Sequence, residues 1–220
     1  GVSMKEMSFF SPLVYFLVRW FCWIVLKVYN RMRVLGLKDV DSKRQYIVVC
    51  NHCSNLDPVI IGGTFPTRLR YLAKSELFQC PGFSHLLLAL GAIPVKKQDS
   101  QSAGATLRAF LSLLEDGESV LIFPEGGRSD DGALKPLEGG VALIALKSSV
   151  AILPAYIRGS FQAMPPGAPW IKPVRISVTY GSPIDPSPYA SCESGGKEAR
   201  GKLLQAISEA FIALERQSDE

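Results

Sequence analysis

The feature that most narrows the fold is a series of six short apolar runs, rich in β-branched and aromatic residues, separated by stretches with helical spacing. The runs are "RQYIVVC" (44–50), "RYLAK" (70–74), "AIPVK" (92–96), "SVLIFP" (119–124), "AILPAYI" (151–157) and "VRISVTYG" (174–181). The middle runs are continuous rather than alternating, as expected of strands buried on both faces. Between them the spacing predicts helices over roughly 58–64, 82–90, 102–115 and 140–148, with a closing amphipathic helix over 197–216. Strand and helix in alternation specify an α/β domain with a mostly parallel central sheet flanked by helices. The Pro/Ser/Gly-rich stretch 182–197 reads as a loop within that domain.

The first thirty residues are of another kind. "FFSPLVYFLVRWFCWIVL" (9–26) is apolar except for Ser11 and a central Arg19. No small-residue cleavage site follows, so a signal peptide is not expected. Eighteen residues fall short of the roughly 20 needed to span a bilayer, and an arginine near the bilayer centre costs about 3 kcal/mol or more. Tyr15, Trp20, Trp23 and Tyr29 favour the headgroup zone, and Lys27, Arg31 and Arg33 lie close behind. The expectation is an amphipathic or membrane-embedded helix lying in one leaflet. The chain then divides into an anchoring helix, 4–29, and a catalytic domain, 30–220, and deleting the helix is expected to release a folded, soluble domain. Residues 1–3, before Met4, look like a cloning remnant and are set aside.

Charge points the same way. Eight basic and three acidic residues give residues 1–50 a charge of +5, so within the total of +4 the other 170 residues sum to −1. A basic stripe beside the most apolar segment suits an anionic membrane surface. Nucleic acid would need cations spread over a groove-sized face, so no nucleic-acid partner is expected. The stripe also assigns the domain to the cytoplasmic face of the inner membrane. Five cysteines, an odd number without framework spacing, imply free thiols in a reducing compartment.

In α/β sheets, sites form where strands end, and two strands here end in polar clusters. The first is "NHCSNLD" (51–57). On one continuous helix, residues five apart point about 140° from each other. His52 and Asp57 can therefore meet only if the histidine lies on the turn and the aspartate opens the helix. The carboxylate would then fix the imidazole tautomer and leave the other nitrogen as a base. Ser54, Asn55 and Asp57 also suit a capped helix start beside a satisfied histidine, and the residues alone allow both readings. Cys50, Cys53, Cys80 and His85 lack the second close-spaced pair that a structural zinc site wants, so no metal is expected. His85, on an apolar helical stretch, reads as a surface or packing residue. The second cluster, "FPEGGRS" (123–129), offers an acid, two glycines that allow close backbone approach, and an arginine suited to phosphate.

Together the clusters resemble a known family. "NHCSNLD" is similar to the NHx4D box, and "FPEGGRS" to the FPEGTRS box, of the glycerolipid acyltransferases typified by lysophosphatidate (1-acylglycerol-3-phosphate) acyltransferase. "LGAIPVKK" (90–97) resembles the family's intervening block, and "AILPAY" (151–156) its proline-bearing strand. Four blocks in order over about 105 residues carry the resemblance, which covers roughly residues 30 to 185.

The resemblance implies that His52 is the general base, oriented by Asp57, in acyl transfer from an acyl-CoA or acyl carrier protein thioester to a lysophospholipid hydroxyl. No further cofactor is implied. It assigns Arg128 to the acceptor phosphate, Glu125, Gly126 and Gly127 to its pocket, Lys96 and Lys97 to added positive charge, and Asn51 to a donor near the developing oxyanion. The residues themselves agree: no G-x-S-x-G elbow is present, and no cysteine has an activating arrangement. Three departures bear on the acceptor. Gly127 replaces threonine, two lysines stand where arginine is frequent, and Glu138 takes the place of a cation in "LKPLEGG". Phosphatidate synthesis is thus the first expectation, another acceptor such as a lyso-ornithine lipid or glycolipid the second. A non-catalytic lipid-binding protein is the third, disfavoured because a binding module needs no oriented base.

Overall fold

The computed structural model describes residues 12–79, 81–95, 103–190 and 196–217. Seven strands form one sheet: β1 (Arg33–Leu35), β2 (Ile47–Cys50), β3 (Leu69–Lys74), β4 (Ala92–Val95), β5 (Ser119–Ile122), β6 (Ile152–Arg158) and β7 (Ser177–Tyr180). Their spatial order is β1-β7-β6-β2-β5-β3-β4. All neighbours are parallel except β6 and β7. The expected α/β sheet is therefore present, with its six anticipated strands shortened or shifted by a few residues. The added strand, β1, has a charged, half-exposed sequence and sits on the sheet edge, so no apolar run announces it.

The continuous runs are continuous because alternate residues serve opposite faces. Val48 and Cys50 of β2 and Leu121 of β5 join one buried cluster, while Ile47, Val49, Val120 and Ile122 join the other. The first face is covered by α1 (Pro12–Tyr29), α2 (Asp57–Thr64) and α3 (Pro81–Ala89). The second is covered by α4 (Ala103–Glu115), α5 (Gly140–Ser148) and α8 (Gly196–Gln217). A bond from Tyr156 Oη to Glu215 Oε1, 2.8 Å, also ties α8 to β6. Two single-turn helices, α6 (Ser160–Ala163) and α7 (Ser187–Ala190), lie in segments read from the sequence as connections.

The N-terminal helix differs from expectation. Its described part, α1, has two faces. Cys22 and Leu26, 6% and 3% exposed, belong to the same core cluster as Ile60, Phe65 and Leu153. α1 packs on α2 at Gly63: a Cβ there would lie 3.6 Å from Cys22 Cβ and 3.7 Å from the Trp23 nitrogen, ordinary van der Waals contact. The helix is thus part of the core, and the expectation that its removal leaves an intact domain is corrected, since deletion would strip the cover from α2. Arg19 lies on the α2 side, half-buried, where it lines a cleft with Phe16, Trp20, Trp23 and Gly63. The other face exposes Leu13, Leu17, Phe21, Val25 and Val28. No described helix is long and apolar enough to cross a membrane.

The two faces predict opposite mutational behaviour. Leu26→Ala is expected to lower stability by about 2–5 kcal/mol, and Phe21→Ser to change it by less than about 0.5 kcal/mol. Unfolding of both variants in detergent micelles provides the comparison.

Candidate active site

The sheet brings the carboxyl ends of β5, β2 and β6 side by side, and the site starts where β2 stops. Asn51, 2% exposed, extends the ladder with its side chain instead of its backbone. Its Oδ1 accepts from the Ile157 N–H at 2.7 Å and its Nδ2 donates to the Ile157 carbonyl at 2.9 Å. That clamp fixes the point at which the chain leaves the sheet and turns out His52. It also uses the side-chain amide, with a further long contact from Nδ2 to Cys53 Sγ. The side chain of Asn51 thus has a positioning role.

Asp57 opens α2 and is fully buried. Its Oδ2 accepts three hydrogen bonds: from Cys53 N–H at 2.7 Å, Ser54 N–H at 2.7 Å and His52 Nδ1 at 2.9 Å. A carboxylate that only accepts requires the proton on Nδ1, so Nε2 presents its lone pair. Nothing among the described residues bonds Nε2. The His52 side chain is 17% exposed and stacks on Phe123, ring centroids 4.1 Å apart and planes 20° from parallel. Of the two readings of this turn, the capped helix start is not what forms: the residue before α2 is Leu56, with no side-chain cap. The same oxygen that satisfies the turn's backbone also aims the imidazole.

The second cluster is bonded directly to the first. Glu125, 4% exposed, accepts from the His52 backbone N–H with Oε1 and from the Lys135 N–H with Oε2, each at 2.7 Å. Burial pushes the Glu125 carboxyl above its ordinary range, and these two N–H groups draw it back. The His52 carbonyl in turn accepts from the Ser129 N–H at 2.8 Å. Glu125, expected only to shape a pocket, also braces the turn after β2 against two points of the connection after β5. Its companion Gly126 has φ +69°, and a Cβ there would collide with the Glu138 carboxylate. Glu138 therefore faces the glycine loop. A Cβ at Gly127 would meet only the Lys135 Nζ, at 3.9 Å, so this position is open. Arg128 is half-buried and has no partner among the described residues. Lys96 and Lys97 lie outside the described residues, and His85 is exposed on α3.

Sequence reasoning assigned no role to Phe123, whose ring backs the imidazole, or to Ser129 and Lys135, which contribute backbone N–H groups. Backbone donors leave no residue-type signal. The nearby thiols are unsuited to attack. Burial, with Asp57 and Glu125 close by, raises Cys53 to about 12 and Cys50 well above its ordinary value.

An oriented imidazole and a glycine-bearing loop thus meet at the ends of adjacent parallel strands. A family model described as Acyltransferase matches residues 31–158. The chain belongs to that family and is an acyltransferase. It is 25% identical over 198 residues to a 1-acyl-sn-glycerol-3-phosphate acyltransferase of Bacillus subtilis, covering 90% of this chain and 94% of the relative. It is 29% identical to the chloroplastic enzyme BAT2 of Brassica napus, covering 84% of this chain and 54% of that one. The chain thus spans nearly all of the bacterial relative and about half of the plant one. The crystal structure of the 1-acyl-sn-glycerophosphate acyltransferase PlsC from Thermotoga maritima shares the fold, with TM-score 0.75 at 23% identity, covering 99% of this chain and 87% of that one.

Two outcomes test the site. Cys53→Ala is expected to keep turnover within about threefold, because a thiol at about 12 is almost wholly protonated at neutral pH. Glu125→Gln turns an NH2 group toward one of two buried N–H donors. Denaturant titration should show it less stable by about 1–3 kcal/mol.

Proposed function

We propose that this chain is a membrane-bound O-acyltransferase that converts 1-acylglycerol-3-phosphate to phosphatidate, with an acyl-CoA or acyl carrier protein thioester as donor. The observation that carries the reading is the 2.9 Å contact between His52 Nδ1 and the buried Asp57, with Nε2 left open beside the loop that bears Arg128. In the proposed reaction Nε2 takes the proton of the acceptor hydroxyl as its oxygen attacks the thioester carbonyl. The tetrahedral intermediate collapses, the carbon–sulfur bond breaks, and the leaving thiolate recovers the proton from the imidazolium. Asp57 stabilises that imidazolium and remains ionised throughout. Arg128 holds the acceptor phosphate in a bidentate grip, and Lys96 and Lys97 add positive charge.

The exposed apolar face of α1, followed by Lys27, Arg31 and Arg33, supports attachment to one leaflet on the cytoplasmic side of the inner membrane. Attachment there gives the site access to an acceptor that itself resides in the bilayer.

A second reading keeps the chemistry and changes the acceptor. The Glu138 carboxylate against Gly126, together with the missing hydroxyl at Gly127, favours a headgroup less anionic than a phosphate monoester. Lyso-ornithine lipids and acylated glycolipids fit that description. A panel of lysolipids with one labelled acyl thioester separates the two readings, and transfer to lysophosphatidate alone eliminates the second.

His52→Ala is expected to lower turnover by about 10³-fold or more, and Asp57→Asn by about 10²–10⁴-fold, with lysolipid binding retained. Turnover that survives His52→Ala at the wild-type rate defeats the base assignment.

A further inference from the structure

We infer that the loop from Met164 to Pro173 is a second membrane-contact element, which seats the mouth of the His52 site on the bilayer by inserting Trp170 and Ile171 among the lipid headgroups. This rests on the membrane attachment proposed above and adds a surface that α1 does not supply. Trp170 is 80% exposed and Ile171 36%. A tryptophan so exposed leaves a large apolar ring in water, whereas the bilayer interface accommodates both the ring and its N–H.

The loop, "MPPGAPWIKP", is stiff as well as apolar. Four prolines restrict it. A turn from Ala168 N–H to the Pro165 carbonyl at 3.0 Å, with Gly167 at φ +82°, closes its tip. Its base is held to the end of α1. Asn30, fully buried, donates from Nδ2 to the carbonyls of Lys172 and Val174, both at 2.9 Å. Tyr29 Oη donates to the Ile171 carbonyl at 3.1 Å, and Arg31 to the Pro173 carbonyl at 3.4 Å. The exposed pair therefore stands next to Val28 and Tyr29, at the end of the exposed face of α1.

The other end of the loop reaches the catalytic turn. Ser54, whose N–H donates to Asp57 Oδ2, donates from Oγ to the Met164 carbonyl at 2.7 Å. One rigid loop thus connects the membrane-facing end of α1 to the residues that hold His52. The charge matches an anionic surface: Lys27, Arg31, Lys172 and Arg175 are exposed around the loop. No carboxylate occurs between Glu138 and Asp185 in the sequence.

The test uses the full chain with Trp20→Phe and Trp23→Phe, so that Trp170 is the one remaining tryptophan. The chain is reconstituted from detergent onto vesicles of phosphatidylcholine with about one-fifth phosphatidylglycerol. With brominated phosphatidylcholine, Trp170 emission is expected to fall by about half or more and to shift to the blue, as for a ring at the headgroup boundary. In the otherwise unaltered chain, Trp170→Ser is expected to raise the KM for a vesicle-embedded lysolipid about 5- to 20-fold. Its kcat on a short-chain, water-soluble lysolipid should stay within about twofold. If the chain floats with vesicles while Trp170 emission is unquenched, the loop assignment is overturned and the attachment through α1 stands. If the chain does not float at all, the membrane reading fails and the loop assignment fails with it. If Trp170→Ser converts a dimer to a monomer without changing the KM on vesicles, the loop is a contact between copies and the assignment is likewise overturned.

Discussion

The site depends on one buried oxygen. Asp57 Oδ2 accepts from two backbone N–H groups and from the imidazole of His52, and it sits at the N-terminus of α2, where the helix dipole favours negative charge. A fully buried carboxylate is costly unless it is hydrogen-bonded in this manner. Because the same oxygen organises the turn and the imidazole, the geometry of His52 is set by the folding of residues 52–57. The preorganisation extends outward. Phe123 backs the ring, Glu125 holds the His52 backbone N–H, and Ser129 holds its carbonyl.

The sheet order explains why these groups meet. β2 lies between β5 and β6 and is parallel to both, so the loops after these three strands open at the same end. Asn51 ties the exit of β2 to β6, and Glu125 ties it to the loop after β5. Residues 73 positions apart therefore become hydrogen-bond partners. Long-range bonds of this kind hold these loops to the core strands, which are fully buried.

Much of this was legible in the sequence. The six apolar runs became strands because continuous Val/Ile/Leu segments can be satisfied only with cover on both faces. The helix between Asp57 and Thr64 and the closing helix were located within a residue or two, while the spacing of His52 and Asp57 permitted their pairing without requiring it. Other features were illegible for physical reasons. β1 is three residues long and half-exposed, so its place in the sheet comes from its partner β7 and not from its own composition. The aromatic N-terminal segment read as a detachable anchor because a one-dimensional pattern does not say which face of a helix finds a neighbour. Only the packed chain shows that the Cys22 and Leu26 face joins Ile60 and Ile61 of α2 in the core.

The sequence by itself determined the local elements and the residue types available at two strand ends, because hydrophobic period and turn chemistry act over short range. Tertiary structure alone decided which atoms of those residues were already committed. It spends the Asn51 amide on Ile157 and the Glu125 carboxylate on two backbone N–H groups, while leaving His52 Nε2 and Arg128 without partners among the described residues. It also laid the Trp170 loop against the end of α1. Hydrogen bonds to the backbone of distant residues carry no signature in residue identity, so only the packed chain reveals whether a polar side chain supports the fold or remains free to act.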